Sequence, residues 1–398
     1  MKDLSLNLYL EINDYNLIFY VGGINVENNF KILYELEVSL EGIENSKVSD
    51  LEKVFNKIKE NVYLIEQKFN HTFKELVLIL DNFNPTFINI TGFKKLNSSQ
   101  VLKENITYIL NTIKNSIDEI ELKKTILHIF NSKFYLDKKK IKNVPIGLFG
   151  DFYSHELSFT LINSNDHKNL KNIFDKCNLK IKKILIKSFI KGAYISDTYK
   201  YTDTFFQIRI NENNSKIFYF ENDTLKFEQN FKFGTSIIAK DISKITTLKL
   251  DTIRKILDNV ELKENLPEDE LIEEEYFNDN NYRKIKKKLV YEIALARIKE
   301  ISELILFKNI NLKHYNKTTK DIFLEIDQNF KFKCLVDIYK TVFSMNDNFK
   351  VNFQDILLNK NLLYTANKVV HFGWKKEAIP ISNSQKSLIA RFFDAIFG

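Results

Sequence analysis

The residues best placed to do chemistry are residues 386–398, which read KSLIARFFDAIFG. At 100° per residue, Leu388, Ile389, Phe392, Phe393, Ile396 and Phe397 share an arc of roughly 180°, with Ser387, Arg391 and Asp394 opposite. Lys386 edges that arc, where its stem can lie along apolar surface while its ammonium reaches water. Such a helix offers interfacial chemistry: six bulky apolar groups to bury, and two cations, Lys386 and Arg391, for anionic groups. Three partners would satisfy it: a membrane surface, another protein, or the chain's own core.

Catalytic sets are missing elsewhere. His71, His128, His155, His167, His314 and His371 are scattered, with no HxH or HxxxH pair. No GxxxxGK[ST], GxGxxG or GxSxG occurs. Close approach of backbone to phosphate favours glycine, because a Cβ blocks it; the chain has 10 Gly and they do not cluster. Gly22 and Gly23 follow a strand pattern and are expected to turn it. Cys177 and Cys334 are the only cysteines, so neither a disulfide scaffold nor a zinc site is expected.

The elements that would carry these residues belong to a globular chain of 398 residues, 44% hydrophobic and 28% charged, long enough for two lobes or several subdomains. The net charge is +7, but acids and bases are interspersed. Basic clusters at Lys138, Lys139 and Lys140, and at Arg283, Lys286, Lys287 and Lys288, read first as solvated faces and next as contacts for acidic lipid or peptide. Without a basic stripe of spaced aromatics, nucleic acid is not an expected partner. The start, MKDLSLNLYLEIN, lacks a charged head followed by an apolar run, and no run of 18 apolar residues occurs. This predicts a cytoplasmic protein whose membrane contact comes through an element such as the tail.

Period-2 alternation predicts a meander over residues 6–20 and 30–40, turning near Asn13, then a helix over 49–69 capped by Ser49 or Asp50 and a buried strand over 75–80. Strands at 87–92, 125–134 and 156–162 surround a helix at 98–116, capped by Ser98 or Ser99. A helix at 166–176 and a strand at 181–186 follow. A second meander begins at 205–210 and continues through 216–220 and 224–232, turning at Asn222 and Asp223. Helices are expected at 235–244 and 249–259. Residues 261–275 are acidic and read as an exposed loop or frayed helix. A long helix spans 282–307 with Leu289, Ile293, Ala296, Ile301, Leu304 and Ile305 inward, and segments 321–326, 334–343 and 364–372 complete the fold. Two meander-plus-helix units about 195 residues apart suggest an internal duplication.

The order of these segments resembles the bacterial cell division family FtsA. Residues 123–162, with Asp137, Pro145, Gly147 and Gly150, resemble its "ILHv…f.vD…i.dPvGm.G" segment. Residues 170–195 resemble a helix, strand and following helix of the family. KFGTSIIAKDISKITTLKLDTIRKIL resembles "GG..iT.DIA..L.t....AE.iK", YEIALARIKEISELI resembles "ei..aR.eEi.el.", and LLYTANKVVHFG resembles the last helix before the family's linker. The resemblance covers nearly the whole chain.

It implies an α/β, actin-like (ribonuclease H-like) two-lobed fold with an inserted α+β subdomain and a C-terminal amphipathic helix. The implied parts are 1–83 (subdomain 1A), 84–163 (the inserted SHS2-like subdomain 1C), 164–240 (first part of 2A), 241–308 (2B), 309–361 (second part of 2A), 362–373 (last helix of 1A), 374–385 (linker) and 386–398 (membrane-targeting helix). It implies a polymerising adaptor that ties FtsZ filaments to the cytoplasmic face of the cell membrane at the septum. The implied partners are the FtsZ C-terminal peptide, further copies of itself, anionic lipids and other divisome proteins. Lys386, Leu388, Ile389, Arg391, Phe392, Phe393, Ile396 and Phe397 would meet the membrane, helped by Lys375 and Lys376. Arg297 matches the arginine of "aR.eE" and would meet the acidic FtsZ peptide; its other role is an ordinary helix pair with Glu300 or Glu303.

ATP is the cofactor the resemblance implies, and departures from the family concentrate where it would sit. The first phosphate loop, "DIGTSK", aligns with residues 11–16, EINDYN. The second, "DIGGGTTD", aligns with residues 209–216, RINENNSK, so both metal-side aspartates become basic and all glycines are lost. "GGG" of the adenosine side falls at Asp327, Gln328 and Asn329. Lys255 alone keeps a nucleotide-facing position, and the usual Glu three residues earlier is Thr252. A non-catalytic adaptor is therefore expected. Two alternatives are a pilus-assembly platform protein of the actin-like superfamily that binds a membrane-protein peptide, which should lack the terminal helix, and an active actin or sugar-kinase type ATPase, which should keep the loops.

Overall fold

The computed structural model describes residues 4–378 except 14, 26, 28, 45–46, 82, 278–281, 316–318, 320, 327–332, 346–348 and 355–358. The chain divides into two compact units, residues 1–185 with 369–398, and residues 186–368. The amphipathic tail at 386–398 and the positions Asp327, Gln328 and Asn329 lie outside the described residues.

In the first unit, β1 (Ser5–Ile12), β2 (Asn16–Ile24) and β3 (Phe30–Ser39) form the expected antiparallel meander. Gly22 and Gly23 lie within β2 rather than turning it; a Cβ on Gly22 would stand 2.2 Å from the Phe30 ring, so the glycine lets that ring lie on the strand. A two-residue hairpin, β4 (Ile43–Glu44) and β5 (Lys47–Val48), leads to α1 (Leu51–Phe69). The Asp50 carboxylate caps α1 by accepting from the N–H groups of Glu52 and Lys53 at 3.1 and 3.0 Å. β6 (Glu75–Leu80), apolar on both faces, pairs in parallel with β1.

The inserted part contains β7 (Thr86–Gln100), α2 (Lys103–Ile120), β8 (Lys124–Leu136), β9 (Lys139–Ile141) and β10 (Phe149–Asn163), in sheet order β7-β10-β8-β9. The α2 start differs from expectation. Ser98 and Ser99 belong to β7, and the Leu102 N–H is met instead by the Asn105 side chain at 2.7 Å. Ile109, Leu110, Ile113 and Ile117 bury one face of α2, and Gly92 leaves room for Ile109 and Ile113. α3 (Ser164–Lys176) and β11 (Lys180–Ile186) close the unit in sheet order β11-β6-β1-β2-β3. The first unit runs to residue 185, since β11 joins the first sheet and α3 packs in the same core as α1.

In the second unit, α4 (Lys187–Thr198) precedes β12 (Phe205–Ile210), β13 (Ser215–Glu221) and β14 (Thr224–Phe231). The β13–β14 turn places Asn222 and Asp223 at φ 50° and 60°, the left-handed pair of a two-residue hairpin. Then come α5 (Ser236–Thr246), α6 (Leu250–Asn259), α7 (Lys287–Ser302), β15 (Asp321–Ile326), α8 (Lys333–Ser344), β16 (Lys350–Gln354) and α9 (Asn359–Phe372). The sheet order β14-β13-β12-β15-β16, with β12 parallel to β15, repeats the plan of the first sheet. The inner face of α7 is Val290, Tyr291, Ala294, Ile298 and Ile301, while Leu289 and Leu304 are exposed. Ile301 and Ile305 are buried as expected, whereas Leu289, Ala296 and Leu304 are exposed, because apolar residues fall on all sides of this helix and a 3.6-residue period marks no single face; the helix starts at Lys287 and ends in a π turn over Glu303–Phe307.

From Val369, within α9, the chain belongs again to the first unit. Trp374 and Ala378 are buried. Asn131 N–H donates to the Lys376 carbonyl and Ala378 N–H to the Ile129 carbonyl, each at 2.7 Å, so these residues line the edge of β8. Glu377 pairs with Lys183 at 2.7 Å and approaches His128 Nδ1 at 3.8 Å. Part of the expected linker is therefore docked, and Lys375 and Lys376 stand over the Trp374 and Phe134 rings.

Candidate functional site

The first loop is a tight β1–β2 turn. The Asn13 side-chain oxygen accepts from the N–H groups of Tyr15 and Asn16 at 2.8 and 2.7 Å. This Asx turn engages two of the backbone donors that a phosphate would need.

The second loop follows β12. Asn211 bonds Asn214 through both backbone (2.9 Å) and side chain (2.7 Å). Its carbonyl accepts from Thr235 N–H at 3.0 Å, and the Glu212 carbonyl accepts from Ser236 N–H at 2.9 Å. N–H groups at the start of α5 are thereby met by protein oxygen. Gly234 permits this approach, since a Cβ there would stand 2.0 Å from the Asn211 carbonyl oxygen.

Beside that loop lies a buried charge cluster. Arg209 on β12 and Glu325 on β15 are register partners. The Glu325 carboxylate receives Lys191 Nζ of α4 at 3.0 and 2.9 Å and lies 3.6 Å from Arg209 Nε. Lys191 is 4% exposed and Glu325 1%. Burial alone would raise the Glu325 carboxyl, but the charges of Lys191 and Arg209 outweigh it and hold the group below its ordinary value. Burial and neighbouring Arg209 pull the Lys191 ammonium down to about 8, leaving it charged at neutral pH. Lys216, at the other lost aspartate position, lies 3.8 Å from Glu228, which also accepts from Ser188 Oγ at 3.4 Å. Protein cations and protein carboxylates thus meet each other at these positions.

Lys255 is exposed on α6, whose Thr252, Ile253, Ile256 and Leu257 face the core. Arg297 is half-buried on α7. Its Nε donates to Asp241 of α5 and its Nη1 to Glu300 one turn on. Arg297 therefore ties α5 to α7, and both carboxylates would compete with an incoming acidic peptide.

The acidic segment 261–275 is largely exposed and irregular, as expected, but it is pinned to the start of α7. Ile272 is buried, its N–H donates to the Ile285 carbonyl at 2.9 Å, and Leu271 bridges Lys286. Lys286 pairs with Asp269 (2.9 Å), Lys287 with Glu270 (2.9 Å) and Glu273 (2.6 Å), and Lys288 with Glu268 (2.7 Å). The basic run at the start of α7 is thus largely neutralised from within. Sequence reasoning missed this zipper and the Lys191–Glu325 pair. The available signals were a lone Glu in the apolar run IFLEI and a lone Lys in SFIKGAYI.

No family model matches the chain. Over 263 residues it is 21% identical to the cell division protein FtsA of Buchnera aphidicola subsp. Acyrthosiphon pisum (strain APS), covering 66% of this chain and 61% of that protein. It is also 21% identical over 243 residues to FtsA of Buchnera aphidicola subsp. Schizaphis graminum (strain Sg), covering 61% of this chain and 57% of that protein. The chain therefore spans about three-fifths of the length of the curated relatives it matches. Among solved structures, the PilM–PilN type IV pilus biogenesis complex superposes over 92% of this chain and 95% of that chain, with a TM-score of 0.50 and 10% identity. At that identity the likeness concerns the fold alone, which is an actin-like α/β fold with two mixed five-stranded sheets.

Proposed function

Because the chain is a distant homologue of the cell division protein FtsA with an actin-like fold, we propose that it is a cell-division adaptor. It ties FtsZ filaments to the cytoplasmic face of the membrane at the septum and acts as a polymer without ATP turnover. The carrying observation is the match to FtsA over 263 residues. The charge cluster at Arg209, Lys191 and Glu325 and the self-bonded loops support the non-catalytic part, since they use groups a nucleotide and its metal would require. Among the described residues no helix is long and apolar enough to cross a membrane, so the attachment proposed is peripheral, through residues 386–398.

The energetics favour a reversible contact. Six apolar side chains each gain about 1–2 kcal/mol at an interface, a discount on full burial, and ordering the segment offsets much of that. One copy then binds weakly, while many copies on a filament bind firmly through effective concentration.

An adaptor has two ends, and the test has two arms. Phe392→Asp with Phe393→Asp should strongly reduce co-sedimentation with vesicles of phosphatidylglycerol and phosphatidylcholine; unchanged sedimentation would reject the tail's role. Arg297→Gln should weaken calorimetric binding of the cognate FtsZ C-terminal peptide several-fold. Equal affinity would remove Arg297 from the peptide site and leave it as the tie between α5 and α7.

A further inference from the structure

We propose that residues 138–149, at one end of the inserted sheet, form a second membrane-surface contact that takes anionic lipid headgroups. The stretch reads KKKIKNVPIGLF and contains no acid. Lys138, Lys139, Lys140 and Lys142 are exposed. So are Val144 (39%), Ile146 (48%), Leu148 (50%) and Phe149 (68%), with Leu102 (49%) on the adjoining segment.

The fold holds this display firmly. Asp137 and Lys138 make the β8–β9 turn in the left-handed region, at φ 49° and 68°. The Asp137 carboxylate is spent inward, accepting from the N–H groups of Asp151 and Phe152 at 2.8 Å each. Gly150 allows that closure, since a Cβ there would stand 2.5 Å from the Leu136 side chain. Val101 exchanges backbone bonds with Gly147 and Leu148, each at 2.9 Å, so the loop is pinned to the end of β7. Asp151, the first carboxylate after the stretch in sequence, accepts from Ser98 Oγ at 2.8 Å.

Exposed apolar side chains that interleave with cations need a phase that accepts both. A bilayer interface does: headgroups meet ammonium groups while short apolar side chains enter the acyl boundary. The absence of acid within the stretch gives charge complementarity with an anionic leaflet. This inference does not rest on the tail, because these residues lie on a separate, folded element.

The test is a two-by-two set on the full chain: wild type, Lys138→Glu with Lys139→Glu, Phe392→Asp with Phe393→Asp, and all four substitutions. Partitioning is measured on vesicles of phosphatidylglycerol and phosphatidylcholine, and on phosphatidylcholine alone. The lysine changes should lower partitioning to the anionic vesicles on the order of tenfold or more in both the wild-type and the tail-substituted background. Ile146→Asp with Phe149→Asp should cause a further several-fold loss that survives high salt. All these side chains are exposed, so melting temperatures should not move. Unchanged partitioning of the tip variants overturns the proposal whatever the tail variant does. So does a loss of binding to polyglutamate with vesicle partitioning intact, which would mark the surface as a protein contact. A change confined to the Phe392 and Phe393 variants would support the tail alone and overturn the tip.

Discussion

Glu325→Gln should lower the stability of the unit spanning residues 186–368 by about 3 kcal/mol, measured by chemical denaturation. The substitution keeps shape and removes charge, leaving the Lys191 ammonium buried without its carboxylate, which approaches it at 2.9 Å. Taking one partner from a buried pair costs far more than the pair itself contributes. Lys191→Met should cost less, because Glu325 keeps Arg209 at 3.6 Å. Lys191→Met with Glu325→Leu should recover most of the loss, since no lone charge then remains. A loss under about 1 kcal/mol for Glu325→Gln would mean that water reaches the cluster as it reaches surface pairs. The same preparations test the nucleotide: millimolar MgATP should neither raise their melting temperatures nor release phosphate. A steady release abolished by Lys255→Ala would overturn the non-catalytic reading.

Acid should destabilise the first unit through His155, and His155→Leu should relieve about 2–3 kcal/mol of the loss between pH 7 and 4.5. His155 is fully buried on β10 beside Phe134 and Tyr153, at ring distances of 4.7 and 6.1 Å. Neither ring nitrogen has a hydrogen-bond partner among the described residues. Burial pulls its pKa down to about 4, with Glu156 opposing and Lys376 assisting. A depressed histidine pKa means that the unfolded chain takes up the proton first. The stability is therefore complete above pH 6.5 and is lost as pH falls from 6.5 toward 4. His128 is buried and shifted in the same direction, opposed by Glu377 and assisted by Lys183, so a smaller slope should remain in the variant. Equal acid slopes for wild type and His155→Leu would show that the ring is hydrated.

Much of the fold could be read where local chemistry decides it. The run ELVLIL became β6, FFQIRI became β12, and Asn222 and Asp223 made the hairpin turn, because period, burial on both faces and left-handed turn residues are local signals. The start of α2 was misread because Ser98 and Ser99 have cap chemistry yet are engaged in the long strand β7, whose pairing with β10 depends on residues some fifty positions away. The inner face of α7 was legible only in part, at Ile301 and Ile305; Leu289 and Ala296 face out because apolar residues lie on all sides of the helix and its period singles out no face. The candidate site was less legible. The substitutions at Arg209 and Lys216 were visible as departures from a phosphate loop, but their carboxylate partners were not, because Glu325 meets Lys191 across 134 positions of sequence.

Residues 374–378 run along β8, held by two backbone bonds of 2.7 Å and by the Glu377–Lys183 pair. The Glu377 pKa is about 2, its Lys183 and His128 contacts outweighing burial, so the pair keeps its charge through the ordinary pH range. This fixes a load path. A pull from beyond Ala378 meets its bond to Ile129, the Glu377–Lys183 pair and the Lys376 bond to Asn131 before it meets Trp374 and then α9.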